Sequence, residues 1–267
     1  MEKIFAILGN EAKAAFGSDD IFLEKFFERP KHFEVQILGD GKGDAIHIGD
    51  RDCSVQRRNQ KIIEEGNAPL VKESVRKNIR NDAVKIMKAV NYKGAGTVEF
   101  LLDGDDYFFL EVNTRIQVEH TVSEEISGID LVKKQIEIAT HENIGLTQKD
   151  VHLSGHSIEC RINAEDQFNF IPSAGTITKY VQPGGFGVRV DSGFCQGDTV
   201  NPHYDSLVAK LITKGSTREI AINKMKTALK EFVIDGIKTN IPLHLRILEN
   251  TSFLDGTYTT QLLTEMG

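Results

Sequence analysis

The sequence predicts a mixed α+β fold, an antiparallel sheet with flanking helices, from three observations. Two pairs of apolar runs are each joined by a short Gly/Asp-rich turn, residues 33–38 with 45–48 and residues 97–102 with 107–110, which is the pattern of β-hairpins. Residues 69–90 place Val71, Val75, Ile79, Ile86, Met87 and Val90 at helical spacing behind Pro69, so a helix with proline near its start is expected there. A second helix, through Ile220, Met225, Leu229 and Phe232, is announced by the capping pair Ser216 and Glu219.

The remaining elements follow in order. Residues 10–16 read as a short helix stopped by Gly17, and residues 21–26 as a strand. Four cations, Arg51, Arg57, Arg58 and Lys61, then crowd into eleven residues. Such a run is either a solvated basic face or an anion site. Nucleic acid is disfavoured, because no aromatic residues interleave for stacking and the chain carries a net charge of −7. Asp130 is placed to cap a helix that follows it. Residues 142–152 are polar and aperiodic, which marks a boundary. Beyond it, residues 155–166 alternate again, with Glu159, Arg161 and Asn163 on one face of a strand; periodicity alone favours a solvent-facing row. The turn at residues 183–187 carries no chemistry of its own.

Length allows one large or two modest domains. The three cysteines, Cys53, Cys160 and Cys195, are too few and too scattered for a disulfide framework or a zinc site. The opening apolar run at residues 4–8 is too short for a signal-peptide core and nothing approaches a membrane span. A cytoplasmic protein is expected.

The candidate site centres on residues 111–120. In a strand, Glu111, Asn113, Arg115, Gln117 and Glu119 project from one face. A solvated edge strand would show the same alternation, but residues 107–110 are too apolar for an edge in water. A hairpin with a three-residue loop would set Glu99 directly opposite Glu111, two carboxylates about 5 Å apart that need a cation between them. A loop of two or four residues would put them on opposite faces. With the odd loop, Glu99, Glu111 and Asn113 offer hard oxygen ligands suited to Mg²⁺ or Mn²⁺. Arg115 and Glu119, further along, suit a substrate anion and a general base. His32 and His120 show no ligand spacing and read as structural residues.

Several stretches together resemble the biotin carboxylase family, a branch of the ATP-grasp enzymes. They are Phe22-Leu23-Glu24-Lys25-Phe26, Arg51-Asp52-Cys53-Ser54-Val55-Gln56-Arg57-Arg58, Gly94-Ala95-Gly96-Thr97-Val98-Glu99-Phe100, residues 111–120, residues 159–166 and Ile234-Asp235-Gly236-Ile237-Lys238-Thr239-Asn240. The resemblance implies the C-terminal part of an ATP-grasp domain followed by a biotin carboxylase C-terminal domain. Residues 1–26 would be a remnant of the lid subdomain, 27–150 would carry the metal and bicarbonate site, and 151–267 would be the C-terminal domain.

The implied activity is ATP-dependent carboxylation of biotin, on its carrier protein, by bicarbonate through carboxyphosphate. Glu99, Glu111 and Asn113 would hold Mg²⁺ or Mn²⁺. Glu24, Lys25, His32, Gln56, Asn59 and Leu101 would contact ATP. Lys61, Arg115, Gln117 and Val118 would bind bicarbonate, Glu119 would deprotonate it, and Arg161 would stabilise the biotin enolate, reversing the solvent-facing reading of its row. Phe186 and Arg189 match positions near a homodimer contact. The implied partners are the biotin carboxyl carrier protein and a carboxyltransferase, in an acetyl-CoA, pyruvate, propionyl-CoA or urea carboxylase. Asn59 departs from the histidine common in the family. No glycine-rich lid precedes Glu24, so little turnover is expected of this chain alone. A non-catalytic assembly or dimerisation module is the alternative. Carbamoyl-phosphate synthetase shares the ATP-grasp core, but the motif around Arg161 argues against it.

Overall fold

The computed structural model describes residues 2–141 and 143–267. In chain order its strands are β1 (Lys31–Asp40), β2 (Ala45–Arg57), β3 (Gln60–Gly66), β4 (Lys93–Asp103), β5 (Asp106–Asn113), β6 (His156–Asn163), β7 (Gly175–Thr176), β8 (Lys179–Val181), β9 (Val188–Ser192), β10 (Thr199–Val200), β11 (Leu207–Gly215) and β12 (Val233–Asp235). The helices are α1 (Glu2–Phe16), α2 (Glu73–Ala89), α3 (His120–Ser127), α4 (Leu131–His141), α5 (Arg218–Glu231), α6 (Ile241–Glu249), α7 (Thr251–Leu254) and α8 (Leu262–Met266). Among the described residues no helix is long and apolar enough to cross a membrane.

One antiparallel sheet of eight strands, in the order β5-β4-β1-β2-β3-β6-β11-β9, runs through both halves of the chain. The crossing point is the β3–β6 ladder, which joins residues 63–66 to 157–160. On one face, Phe33, Val35, Ile37, Val98 and Phe100 pack with Ile79, Ala83 and Met87 of α2. On the other, Leu38, Ile46, Ile48 and Ala95 pack with Leu131 and Ile138 of α4. The second half builds a separate core from β6, β11, α5 and α6. Burial of these apolar side chains is the main force holding the helices to the sheet.

Both expected hairpins form, and the structure corrects several boundaries. The first helix starts at Glu2, well before residue 10, and stops as expected at Gly17, whose φ is 78°. Residues 21–26 are not a strand: no strand among the described residues pairs with them, and Phe22, Leu23 and Phe26 are exposed. Alternation without a ladder partner leaves the backbone groups unpaired, so it does not hold an extended segment in a sheet. The helix expected from residue 69 begins only at Glu73, because Leu70 adopts a left-handed φ of 57° that a helix cannot contain. The cap of α5 is Thr217, not Ser216: its hydroxyl accepts from the Ile220 N–H at 3.3 Å. Asp130 caps α4 as expected, accepting from the Lys133 N–H at 2.7 Å.

Two local irregularities aim the site. The turn between β4 and β5 is the even one, with Asp103 opposite Asp106, so the odd loop is absent. Yet Phe100 faces Phe109 and Glu99 faces Glu111, which makes Leu110 an extra residue on β5 that restores the carboxylate pairing. In β3, Val55 faces Ile63 and Gln56 faces Lys61, so Ile62 is likewise extra. That bulge carries Lys61 onto the same face as Glu64. The extended row also ends sooner than its alternation suggested. β5 stops at Asn113, and residues 114–119 curl into the start of α3.

Candidate active site

A cavity of about 620 Å³ opens where the first-half sheet meets β6 and the loops of residues 163–174 and 200–207. Its walls include Lys61, Glu99, Glu111, Asn113, Arg115, Gln117, Val118, Glu119 and Arg161, with His32 and Asn59 beside them. Segments far apart in sequence thus bring eleven of the expected site residues to one place.

Lys61 is the hub. Its ammonium lies 2.6 Å from Glu34 Oε2, 3.0 Å from Glu99 Oε1 and 2.7 Å from Glu119 Oε1. Those charges raise its pKa despite strong burial. Glu119 is buried and bridges two cations, because its second oxygen accepts from Arg161 Nη2 at 2.8 Å. Arg161 is also held by Glu64, whose Oε1 accepts from its Nε at 2.6 Å. Behind them Arg51 is fully buried, paired with Glu34 and hydrogen-bonded to Gln36 at 2.6 Å, Ser123 at 3.0 Å, and Thr97 and Gln117 at 3.2 Å. Burial works against ionisation of Glu34, but Arg51 and Lys61 outweigh it and hold the carboxyl at about 2. Burial likewise opposes ionisation of Glu99. The His32 imidazole, 2.8 Å from its Oε2, and the Lys61 ammonium hold it at about 2.

The Glu99, Glu111 and Asn113 set fits a hard divalent cation. The Asn113 amide donates to Glu99 Oε1 at 2.9 Å and to Glu111 Oε1 at 3.0 Å. Turned about its last torsion, the same amide would present its oxygen beside both carboxylates, completing an all-oxygen donor set. His32, Glu34 and Glu99 also bring ligand atoms within 4.8 Å of one another. The Lys61 ammonium already neutralises Glu34 and Glu99 there, so the exposed Glu111 carboxylate, held by the Asn113 amide, suits a cation better.

Other expected residues occupy different settings. Arg115 is exposed at the rim, its guanidinium donating to the Ile116 carbonyl at 3.2 Å. Gln117 donates to Glu99 Oε1 at 2.7 Å, and the Val118 carbonyl accepts from Lys210 at 2.9 Å. Gln56 lies behind the wall, 2.8 Å from His32 Nδ1, and orients that ring. Leu101 sits opposite His32 in the β1–β4 ladder. Glu24 and Lys25 lie outside the cavity on the exposed segment before β1, where Lys25 rests over the Phe27 and Phe108 rings. Asn59 shares a two-residue turn with Arg58, both at left-handed φ, a conformation asparagine adopts readily. His120 packs at the start of α3, its Nδ1 2.8 Å from the Gln117 carbonyl.

Sequence reasoning passed over Glu34, Gln36 and Glu64. One signal was present: His32, Glu34 and Gln36 alternate with Phe33, Val35 and Ile37 as regularly as the row at residues 111–119. The basic run from Arg51 to Lys61 divides, with Arg51 in the interior, Arg57 over the Phe170 ring, and Lys61 at the hub of the carboxylates.

Residues 1–147 match the carbamoyl-phosphate synthase L chain, ATP binding domain, and residues 159–265 match the biotin carboxylase C-terminal domain. The chain is 51% identical over 256 residues to biotin carboxylase of Haemophilus influenzae, across 96% of this chain and 57% of that protein. It is 48% identical over 258 residues to the small subunit of 2-oxoglutarate carboxylase from Hydrogenobacter thermophilus, across 96% of this chain and 55% of that one. Among solved structures, a biotin carboxylase–beta-gamma-ATP complex from Campylobacter jejuni superposes with a TM-score of 0.93 at 47% identity, covering 99% of this chain and 59% of that one. The dimeric biotin carboxylase domain of the Hydrogenobacter enzyme, solved with MgADP and bicarbonate, gives 0.92 at 47% identity, covering 98% and 58%. The chain thus spans between half and three fifths of these four proteins. With both halves matched at this identity, and with the acidic pair and the Lys61–Glu119–Arg161 chain in one cavity, the chain belongs to the biotin carboxylase family.

Proposed function

We infer that this chain contributes the bicarbonate and biotin centre of a biotin-dependent carboxylase, which uses ATP to carboxylate biotin on its carrier protein. The observation that carries this reading is Glu119, a buried carboxylate clamped between Lys61 at 2.7 Å and Arg161 at 2.8 Å at the wall of the cavity. Lys61 and Arg115 supply positive charge for bicarbonate, with the Gln117 amide and the Val118 backbone alongside. Glu119 takes the bicarbonate proton as a bicarbonate oxygen attacks the terminal phosphorus of ATP, and ADP leaves. Taking that proton removes the negative charge that holds Arg161 Nη2. The guanidinium is then free to turn to the ureido oxygen of biotin. Carboxyphosphate breaks to CO₂ and phosphate, the phosphate takes the proton from the biotin N–H, and that nitrogen attacks CO₂ while Arg161 stabilises the enolate. Mg²⁺ or Mn²⁺ on Glu99, Glu111 and Asn113 would neutralise phosphate oxygens. His32, Gln56, Asn59 and Leu101, with Glu24 and Lys25 on their segment, form the nucleotide side.

The division at residues 26 and 150 is part of the same reading, as is a cytoplasmic setting. So is the expectation that these 267 residues turn over poorly by themselves, given that they span 57% of the Haemophilus relative. A homodimer through the face of Phe186, which is 97% exposed, and the neighbouring Arg189 fits the same scheme. Carrier protein and carboxyltransferase would be the further partners.

Calorimetric titration of the chain with MgADP, alongside Glu111→Gln, tests the centre. Weak binding that the variant weakens further is expected. Binding of equal strength in both would reject the assigned metal ligands.

A further inference from the structure

Glu64 and Glu159 stand directly opposite each other in the β3–β6 ladder, and both are fully buried. Cross-strand partners have Cβ atoms about 5 Å apart, a spacing at which two ionised carboxylates repel. One oxygen of each is engaged. Glu64 Oε1 accepts from Arg161 Nε at 2.6 Å, and Glu159 Oε2 accepts from the Thr121 hydroxyl. The other oxygen of each, Glu64 Oε2 and Glu159 Oε1, is buried without a hydrogen-bond partner among the described residues. Buried acceptors are rarely left so, and here two occur on adjacent carboxyls.

We propose that Glu64 and Glu159 share one proton and act as a positioning pair for Arg161, so that the charge on the pair sets how tightly the guanidinium is held back from the cavity.

The surroundings favour a single negative charge on the pair. Arg161 faces it from β6, Lys61 from β3, Lys210 from β11, Glu119 from the turn before α3 and Thr121 from α3. Lys61 is already bound to Glu34, Glu99 and Glu119, and Lys210 to the Val118 carbonyl. The cation hydrogen-bonded to the pair, among the described residues, is therefore Arg161, which Glu119 also engages. A doubly ionised pair would set three carboxylates on one guanidinium; one shared proton reduces that to two charges. Burial pushes both carboxyls above the ordinary range, Arg161 opposing at Glu64 and the charge of Glu64 adding at Glu159. Loss of the shared proton at alkaline pH would put a second charge behind Arg161 and pull it away from the cavity. This role rests on the biotin carboxylase reading above, whereas the shared proton does not.

Infrared and nuclear magnetic resonance spectra of this chain, Glu64→Gln and Glu159→Gln, recorded from neutral to alkaline pH, test both parts. The native chain should show the C=O stretch of a protonated carboxylic acid at neutral pH, lost as pH rises. Glu159→Gln, which leaves Glu64 alone with Arg161, should lack it. The Arg161 Nε–H resonance should shift with the same midpoint in the native chain and not in Glu159→Gln. If the variants do not fold, ¹³C-glutamate labelling of the native chain decides. Every glutamate ionised at neutral pH would overturn the shared proton. A protonated pair whose titration leaves the Arg161 resonance unmoved would overturn the positioning role. MgADP titration reports on the biotin carboxylase centre separately, since that binding does not require the pair.

Discussion

Glu111 faces Glu99 only because Leu110 is an extra residue on β5. The even turn at Asp103–Asp106 would otherwise put the two carboxylates on opposite sides of the sheet. Deleting Leu110 should therefore act as a ligand mutation although leucine ligates nothing. We expect the deletion to weaken Mg²⁺-dependent ADP binding on the order of 10- to 100-fold, as much as Glu111→Gln does. Calorimetry on the two variants checks this. Unchanged affinity in the deletion would mean that the strand end repairs its register without the bulge.

Lys61 holds three carboxylates, so its removal should cost more than an ordinary ion pair. Lys61→Met keeps the stem but strands Glu99 and Glu119 without their shared cation. A loss of about 3–5 kcal/mol is expected, the range for breaking a buried pair from one side. The pH dependence should also become shallower in acid. In the native chain Glu34 and Glu99 are held at about 2, so their stabilisation is present above pH 4.5 and is lost as pH falls from there towards 2. Without the ammonium, Glu99 keeps the His32 contact but loses its second cation, so its folded pKa moves up and this acid-labile stabilisation shrinks. Urea unfolding at pH 5 and pH 3 decides; a variant that loses as much stability over that interval as the native chain refutes the hub.

The sequence carried the ligand types but not the devices that aim them. Two-residue alternation put Glu111 and Asn113 in one row; Glu119, read into the same row, lies past the end of β5, and Arg161 was reached only through the family resemblance. Alternation could not say which rows the fold would cover, so the row of His32, Glu34 and Gln36 passed unnoticed and that of Glu159 and Arg161 looked solvated. The bulges at Leu110 and Ile62 use ordinary apolar residues and leave no composition signal. The joining of β3 to β6, which brings Glu64 to Arg161, depends on contacts some 97 positions apart and has no local signature. The strand read at residues 21–26 failed for the converse reason, since its pattern was sound and no ladder partner exists among the described residues.

The N-terminus of α5 separates a motif from its geometry. Ser216 and Glu219 have the spacing of a capping box, yet Thr217 accepts the Ile220 N–H. Thr217→Ala should cost about 1 kcal/mol and Ser216→Ala markedly less. Equal losses in thermal or chemical unfolding would contradict the observed cap.

Mild acid should weaken the fold through His244 before the carboxylates held at about 2 are reached. Its ring is fully buried beneath β6, with Nε2 2.8 Å from the Arg161 carbonyl, and burial lowers its pKa from 6.5 to about 4. The unfolded imidazole takes a proton below about pH 6.5, whereas the folded one stays neutral to about 4. Throughout that window the unfolded chain binds more protons, so stability falls as pH falls. His47 adds to the same limb, burial and the Arg80 charge holding it also at about 4. Between pH 7 and pH 4.5 a depression of this size is worth about 2 kcal/mol for His244. His244→Gln keeps a donor for the Arg161 carbonyl and removes the titration. Its stability should therefore drop less than that of the native chain over the same interval, by about 2 kcal/mol, with the His47 share remaining. Urea denaturation at the two pH values measures the difference, and parallel losses in both proteins would show that His244 protonates freely in the folded chain.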